Sequence, residues 1–210
     1  DNLVFDTLKT QLKFGLREDP MQYPDSLIAS TESIALAKRS AEKSMVLLKN
    51  DRVLPFSKKS GKRIAVIGRL ADVENMGDTG SSGTTEPYIV TPYEGISIAQ
   101  EKLGNQVVLD NAGDLEASKT LARSADEVIV VVGYTHVEEG EFLISSDEAE
   151  KAAQLGRRLG EKQKGGDRES LKLLPEDEAL NKSLAKANDN LVVVYVGGSG
   201  IDLSAWQDDV

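Results

Sequence analysis

A chain of 210 residues, 40% hydrophobic and 29% charged, can bury one substantial domain, or a domain plus a connecting segment. Its formal net charge of −10 at pH 7 comes without any basic block or aromatic-basic interleave. That excludes a nucleic-acid surface, which needs clustered Lys and Arg to meet phosphate. The absence of cysteine excludes a disulfide framework and thiolate chemistry, and no apolar run is long enough to cross a membrane.

Asp1–Leu16 has helical spacing, with Leu3, Val4, Leu8, Leu12 and Leu16 near one face. Gly15 weakens its end, and Pro20 and Pro24 follow in an irregular stretch. A single apolar stripe this close to the terminus needs something to pack on, so the segment reads as the tail of a preceding domain. Ser30–Lys49 is predicted as a second helix, capped by Ser30 or Thr31, with Ser33, Ile34, Ala37, Ala41, Met45 and Leu48 toward its buried side. Asn50-Asp51 signals a turn and Leu54-Pro55 ends the element.

From there the pattern alternates. Strands are expected at Arg63–Gly68, Gln106–Asp110, Glu127–Gly133 and Leu191–Gly197. Helices are expected at Thr91–Leu103, Asp114–Ala125 (contacts through Leu115, Ala117, Leu121 and Ala122) and Pro175–Ala187. Strands separated by helix-length segments imply crossovers and a parallel sheet. Two insertions break this rhythm. Leu70–Pro92 is a Gly/Ser/Thr-rich loop after the first strand. Phe142–Lys164 contains Ser146–Lys164, which reads as a polar helix with a thin apolar stripe, acidic at its start and basic at its end, and is expected to be a mobile arm or lid.

The chemistry-bearing stretch is Val128–Phe142. Its β-branched run reads as a strand covered on both faces. Gly133 then opens the chain at the strand's carboxyl end, where open α/β sheets place their ligands. His136, the only histidine, follows with Glu138, Glu139 and Glu141. Clustered carboxylates help one of their number to keep a proton, as a general acid at neutral pH must. The plain alternative is a solvated, inert acidic loop. One histidine cannot build a zinc site without several carboxylates converging on it, so no metal is expected.

Ile64-Ala-Val-Ile-Gly68 lacks the dinucleotide fingerprint, because Arg69-Leu70-Ala71 follows and the next glycine is Gly77. Gly77–Gly83 is either a flexible surface connection or a carboxyl-edge loop that hydrogen-bonds a polyhydroxylated ligand or a neighbouring domain. Asp167 and Arg168 are either an ordinary surface pair or, given the Gly165-Gly166 lead-in, residues in a tightly approached, constrained position.

Taken together, these segments resemble the second domain of family 3 glycoside hydrolases, the β-glucosidase/β-xylosidase group. The likeness runs from about Ala35 to the end. It is carried in order by Ala41-Glu-Lys-Ser-Met-Val-Leu-Leu-Lys-Asn50-Asp51 with Leu54-Pro55, by Arg63–Gly68, and by Gly77-Asp78-x-Gly80-Ser81-Ser82 through Thr91-Pro92-Tyr93-Glu94-Gly95-Ile96. Val131-Val132-Gly133 through Glu139-Gly140-Glu141 comes next, and Asp167-Arg168 with Leu171, Leu174-Pro175, Val192–Gly198 and Trp206 closes it. Leu12–Leu16 is similar to the segment that closes the family's preceding (β/α)8 barrel.

The resemblance implies a three-layer α/β/α sandwich with a mostly parallel, flavodoxin-like sheet, preceded by a helical linker. Residues 1–29 would be the end of the barrel plus linker, and 30–210 the sandwich, truncated at its C-terminus. It further implies a retaining exo-glycosidase, first a β-glucosidase and second a xylosidase, whose two carboxyl groups stand about 5 Å apart. The family's nucleophile is a barrel aspartate in an S-D-W-like motif that this chain lacks. The acid/base falls on Glu141 or Glu139, in that order, with Glu138 third. Substrate contacts fall on Asp78, Ser81, Ser82, His136, Glu138, Asp167 and Arg168. The implied partners are a β-linked oligosaccharide or an aryl or alkyl glycoside and the barrel domain of the same polypeptide, with no cofactor; homo-oligomers are compatible with it, and neither a secreted nor a cytoplasmic location is selected. The Ser146–Lys164 arm departs from the many members whose glutamate sits only a few residues before Asp-Arg. A non-catalytic carbohydrate-binding or interaction module and a nucleotide-binding protein are the competing readings.

Overall fold

The computed structural model describes residues 2–15, 24–77, 83–84, 86–139, 168 and 170–210. The chain divides into two compact units, Asp1–Leu48 and Lys49–Val210.

The first unit holds α1 (Asn2–Lys13), a 3-10 turn (Asp25–Leu27) and α2 (Thr31–Ser44). Ser30 caps α2, its hydroxyl accepting the Ser33 N–H at 3.2 Å. The helix stops earlier than its periodicity predicts, because Met45 is already extended at φ −73°, ψ 131°. Two local effects end it. The Ser44 hydroxyl turns back onto the Ala41 carbonyl at 2.8 Å, and β-branched Val46 follows. Met45 and Leu48, expected on a buried side, are 73% and 70% exposed, and α2 buries none of its residues within this unit.

The second unit begins with a brace. The Asn50 amide donates to the Leu54 carbonyl at 2.8 Å and accepts the Leu54 N–H at 3.0 Å, closing the turn before the first strand. The sheet is built from β1 (Arg63–Ile67), β2 (Gln106–Asp110), β3 (Glu127–Gly133) and β4 (Leu191–Val196), in the order β2-β1-β3-β4, and every pairing is parallel. Between the strands lie α3 (Pro92–Glu101), α4 (Leu115–Ser124), the short α5 (His136–Glu139) and α6 (Pro175–Ala185).

Strand periodicity sorts the core into two layers. Ala65, Ile67, Val128, Val130 and Val132 pack with Ala122 of α4, Leu180 and Leu184 of α6, and Trp206. Ile64, Val66, Ile129 and Val131 face the other way, onto Tyr93 and Ile96 of α3. The result is the expected three-layer α/β/α sandwich, and its order is the first part of a doubly wound 2-1-3-4-5 sheet.

The helix starts follow from sequence chemistry. Thr91 caps α3 with a reciprocal box: its hydroxyl accepts the Glu94 N–H at 3.2 Å, and Glu94 accepts the Thr91 N–H at 3.1 Å. Pro92 then sits at the first helical position, so the Thr-Pro-x-Glu pattern is a complete helix start. In α4 the expected contacts are only half right. Ala122 is buried and Leu121 half-buried, but Leu115 and Ala117 are exposed. Ser118 takes the core position instead, because its hydroxyl is satisfied by Asp110 Oδ2 at 2.7 Å and the Asp114 carbonyl at 3.0 Å.

From β1 the chain crosses to β2 on one side and later to β3 on the other. The order therefore reverses between the carboxyl ends of β1 and β3, which is where an α/β sheet of this kind opens a crevice.

Candidate active site

Gly68 and Gly133 stand at the carboxyl ends of these two strands, both in left-handed territory (φ 135° and 134°). A Cβ on Gly133 would lie 1.9 Å from the Val196 carbonyl oxygen, and one on Gly68 would lie 2.1 Å from that of Val131. Only glycine lets each strand turn out while still touching its neighbour.

Arg69 follows Gly68 and reaches across the crevice. Its Nη2 donates to the Gly133 carbonyl, its Nη1 lies 3.3 Å from Glu138 Oε1, and its Nε lies 3.6 Å from Asp177 Oδ2. Asp177 comes from the first turn of α6 and also accepts the Gly133 N–H at 3.3 Å. The other oxygen of Glu138 accepts both the N–H and the hydroxyl of Thr135, at 2.7 and 2.8 Å, and so closes the start of α5.

A second guanidinium approaches from the opposite side. Arg168 Nε lies 2.9 Å from Glu139 Oε1, and its guanidinium stacks 4.3 Å from the Tyr134 ring centroid. Its Nη2 donates to the Ser199 hydroxyl and, at 2.7 Å, to the Gly200 carbonyl. Glu139 Oε2 accepts the Gly198 N–H at 2.7 Å, and the Ser199 hydroxyl donates to Oε1 at 3.3 Å. The Arg168 and Glu139 side chains are 8% and 16% exposed, so this is a largely desolvated pair. Tyr134 directs its hydroxyl to the Lys172 carbonyl, and burial pushes the nearby Tyr195 phenol above its ordinary range.

Asp177 is 2% exposed, and burial raises its carboxyl pKa despite the opposing pull of Arg69. A group that holds its proton more tightly in the folded state lowers stability as pH rises, from its ordinary value of 3.8 up through the raised one. In Asp177→Asn that dependence disappears while an acceptor for the Gly133 N–H remains. Urea midpoints measured from about pH 3 to pH 8 should therefore fall with pH for the wild type relative to the variant. A difference that stays flat across that range would remove the linkage.

Of the residues singled out from sequence, Glu138, Glu139 and Arg168 come together at the carboxyl edge. His136 sits half-buried on α5 with no hydrogen bond among the described residues. Glu141, Asp78, Ser81, Ser82, Asp167 and the predicted Ser146–Lys164 arm lie outside the described residues. Sequence reasoning missed Arg69, Tyr134, Asp177 and Ser199. For Arg69 a signal was present, since it follows a strand-ending glycine in the same way that Tyr134 follows Gly133. Asp177, in a Pro-Glu-Asp-Glu helix start, looks like ordinary complement to a helix dipole.

Comparison with known proteins gives the chain's family and fold. The model of the glycosyl hydrolase family 3 C-terminal domain matches residues 45–210. The chain is 28% identical over 186 residues to the exo-1,4-beta-xylosidase xlnD of Emericella nidulans, covering 87% of this chain and 20% of that protein. It is 31% identical over 185 residues to the thermostable beta-glucosidase B of Acetivibrio thermocellus, covering 83% of this chain and 21% of that one. The crystal structure of a beta-glucosidase from Listeria innocua in complex with glucose superposes with a TM-score of 0.70 at 20% identity, over 96% of this chain and 25% of that chain, which shows the shared fold. The chain thus spans about a fifth of the length of the two curated relatives. The family model matches most of the chain, so the chain belongs to the glycosyl hydrolase family 3 C-terminal domain family.

Proposed function

We propose that this chain is the second domain of a retaining, exo-acting β-glycosidase, first of all a β-glucosidase, hydrolysing terminal β-linked sugars of an oligosaccharide or an aryl or alkyl glycoside. One observation carries the reading: in a member of this family, an acidic turn leaves the central strand at the sheet's switch point. The turn would supply the acid/base carboxyl, and the nucleophile would come from a barrel domain of the same polypeptide. Glu141 is the first choice for the acid/base and Glu139 the second, because Glu139 has a donor on each oxygen. Asp78, Ser81, Ser82, His136, Glu138, Asp167 and Arg168 would contact the substrate.

The test is made on the full-length polypeptide with a series of aryl β-glycosides, following the first-formed anomer by proton NMR. Release of the β-anomer is the expected result, since two displacements restore configuration. Release of the α-anomer, or no turnover of any β-glycoside, overturns the proposal. Sugar binding without turnover would favour the non-catalytic binding module, a reading supported by the full pairing of Glu138 and Glu139.

A further inference from the structure

Asp177 stands outside the acidic turn, in the first turn of α6, yet it touches both lips of the crevice. At the β3 lip its Oδ2 accepts the Gly133 N–H at 3.3 Å. At the β1 lip the same oxygen lies 3.6 Å from Arg69 Nε. The three nitrogens of that guanidinium are thereby shared among three elements. Nε faces α6, Nη2 donates to the Gly133 carbonyl at the end of β3, and Nη1 lies 3.3 Å from Glu138 of α5. Glu138 in turn accepts the N–H and the hydroxyl of Thr135. A chain of polar contacts thus runs from α6 through Arg69 to the start of α5, a helix of four residues that is too short to hold its own orientation.

Stability alone does not account for a carboxylate in this place. Asp177 is 2% exposed, and burying an ion pair costs as much as its attraction returns, so an apolar side chain of similar size would hold α6 to β3 equally well. What an apolar side chain could not do is fix a guanidinium. Arg69 has a long, rotamer-rich stem. Its Nε is buried with no hydrogen-bond acceptor among the described residues, so the Asp177 charge is what it meets on that side.

We propose that Asp177 is a positioning residue, which through Arg69 and Glu138 sets the start of α5 at the mouth of the crevice. Its kinetic consequence rests on the glycosidase reading above. It is independent of which carboxyl gives the proton.

The test is made on the full-length polypeptide. Asp177→Asn keeps an acceptor for the Gly133 N–H and removes only the charge that meets Arg69. It should lower kcat on an aryl β-glucoside by about tenfold with KM little changed, inside the roughly 100-fold that a misplacement of about 1 Å can cost. Because Asp177 acts through Arg69, the double variant Asp177→Asn, Arg69→Lys should be no slower than Arg69→Lys alone. Losses that multiply overturn the proposal, since Asp177 would then act independently of the guanidinium. A wild-type kcat in Asp177→Asn, or a change confined to KM, overturns it too.

A second readout needs no turnover. In Asp177→Asn, amide hydrogen exchange across residues 135–139 should quicken by about tenfold or more, while 128–133 keep their protection. Unchanged exchange at 135–139 would mean that nothing passes through Arg69, and faster exchange in both segments would mean a loosened sheet; either result sinks the link. If the wild-type polypeptide turns over no β-glycoside, the glycosidase reading falls and this exchange pattern alone decides the link. The same pattern decides it where Arg69→Lys does not fold.

Discussion

Gly133→Ala should destabilise the protein by about 3 kcal/mol or more, the largest loss expected from any single methyl group here. The cause is not lost flexibility alone. At φ 134° the added Cβ would meet the Val196 oxygen at 1.9 Å, its carbon at 2.8 Å and its nitrogen at 2.9 Å. All three atoms are backbone, so no side chain can swing away to make room. Relief would require β4 to draw back from β3 at the Gly133–Val196 pair, which also breaks the Tyr134 N–H bond to the Val196 carbonyl at 2.9 Å. Gly61→Ala is the control. Its φ of 80° carries a backbone cost of about 1–2 kcal/mol, but nothing lies within 4 Å of the new Cβ. Urea unfolding should separate the two variants clearly. Equal midpoints would mean that the contact at Gly133 relaxes freely, and the close approach would lose its structural meaning.

Glu141→Gln should have the largest effect on activity. Under the proposed assignment the glutamine cannot protonate a departing oxygen, so with the full-length polypeptide alkyl and oligosaccharide substrates should slow by about 100-fold or more. Aryl glycosides whose leaving groups depart unaided should lose far less in their first step. The limb of the pH–rate profile that reports the acid should flatten as well. Proportionate losses on both substrate types would move the assignment to Glu139. Glu141→Gln and Glu139→Gln together therefore decide which residue is the donor.

Much of this architecture is legible in the residues. Val128–Gly133 announces a covered parallel strand, and the alternation of strands and helix-length segments gives the sandwich. Ser30 and the Thr91-Pro92-x-Glu94 start can be read directly as helix caps, since capping is local chemistry. Misreadings arise where a distant partner decides. Ser118 is buried because Asp110 meets its hydroxyl, and no propensity of serine predicts that. Met45 and Leu48 carry helical spacing, but Ser44 folds back on Ala41 and the chain becomes extended. The site shows the same division. The acidic turn is visible because its carboxylates are neighbours in sequence. Arg168 is visible too, through the Asp-Arg motif, but Arg69 is not, since it reaches Glu138 only after β1 and β3 have paired.

The valine-rich β3 has a second consequence, for the chain before it folds. Glu127-Val-Ile-Val-Val-Val-Gly133 is fully covered in the native sheet. Exposed in an unfolded or half-made chain, it is a short segment with high β-propensity and no proline, the composition that stacks into intermolecular cross-β structure. Charged residues flank it on both sides. Asp126 precedes it, Glu127 opens it, and Glu138 and Glu139 follow the strand within a few residues. In the native state Glu127 pairs with Lys62, and Glu138 and Glu139 pair with arginines. In the nascent chain the same carboxylates are unpaired and repel their counterparts on other copies. The acidic turn thus has the composition of a gatekeeper flanking an apolar strand.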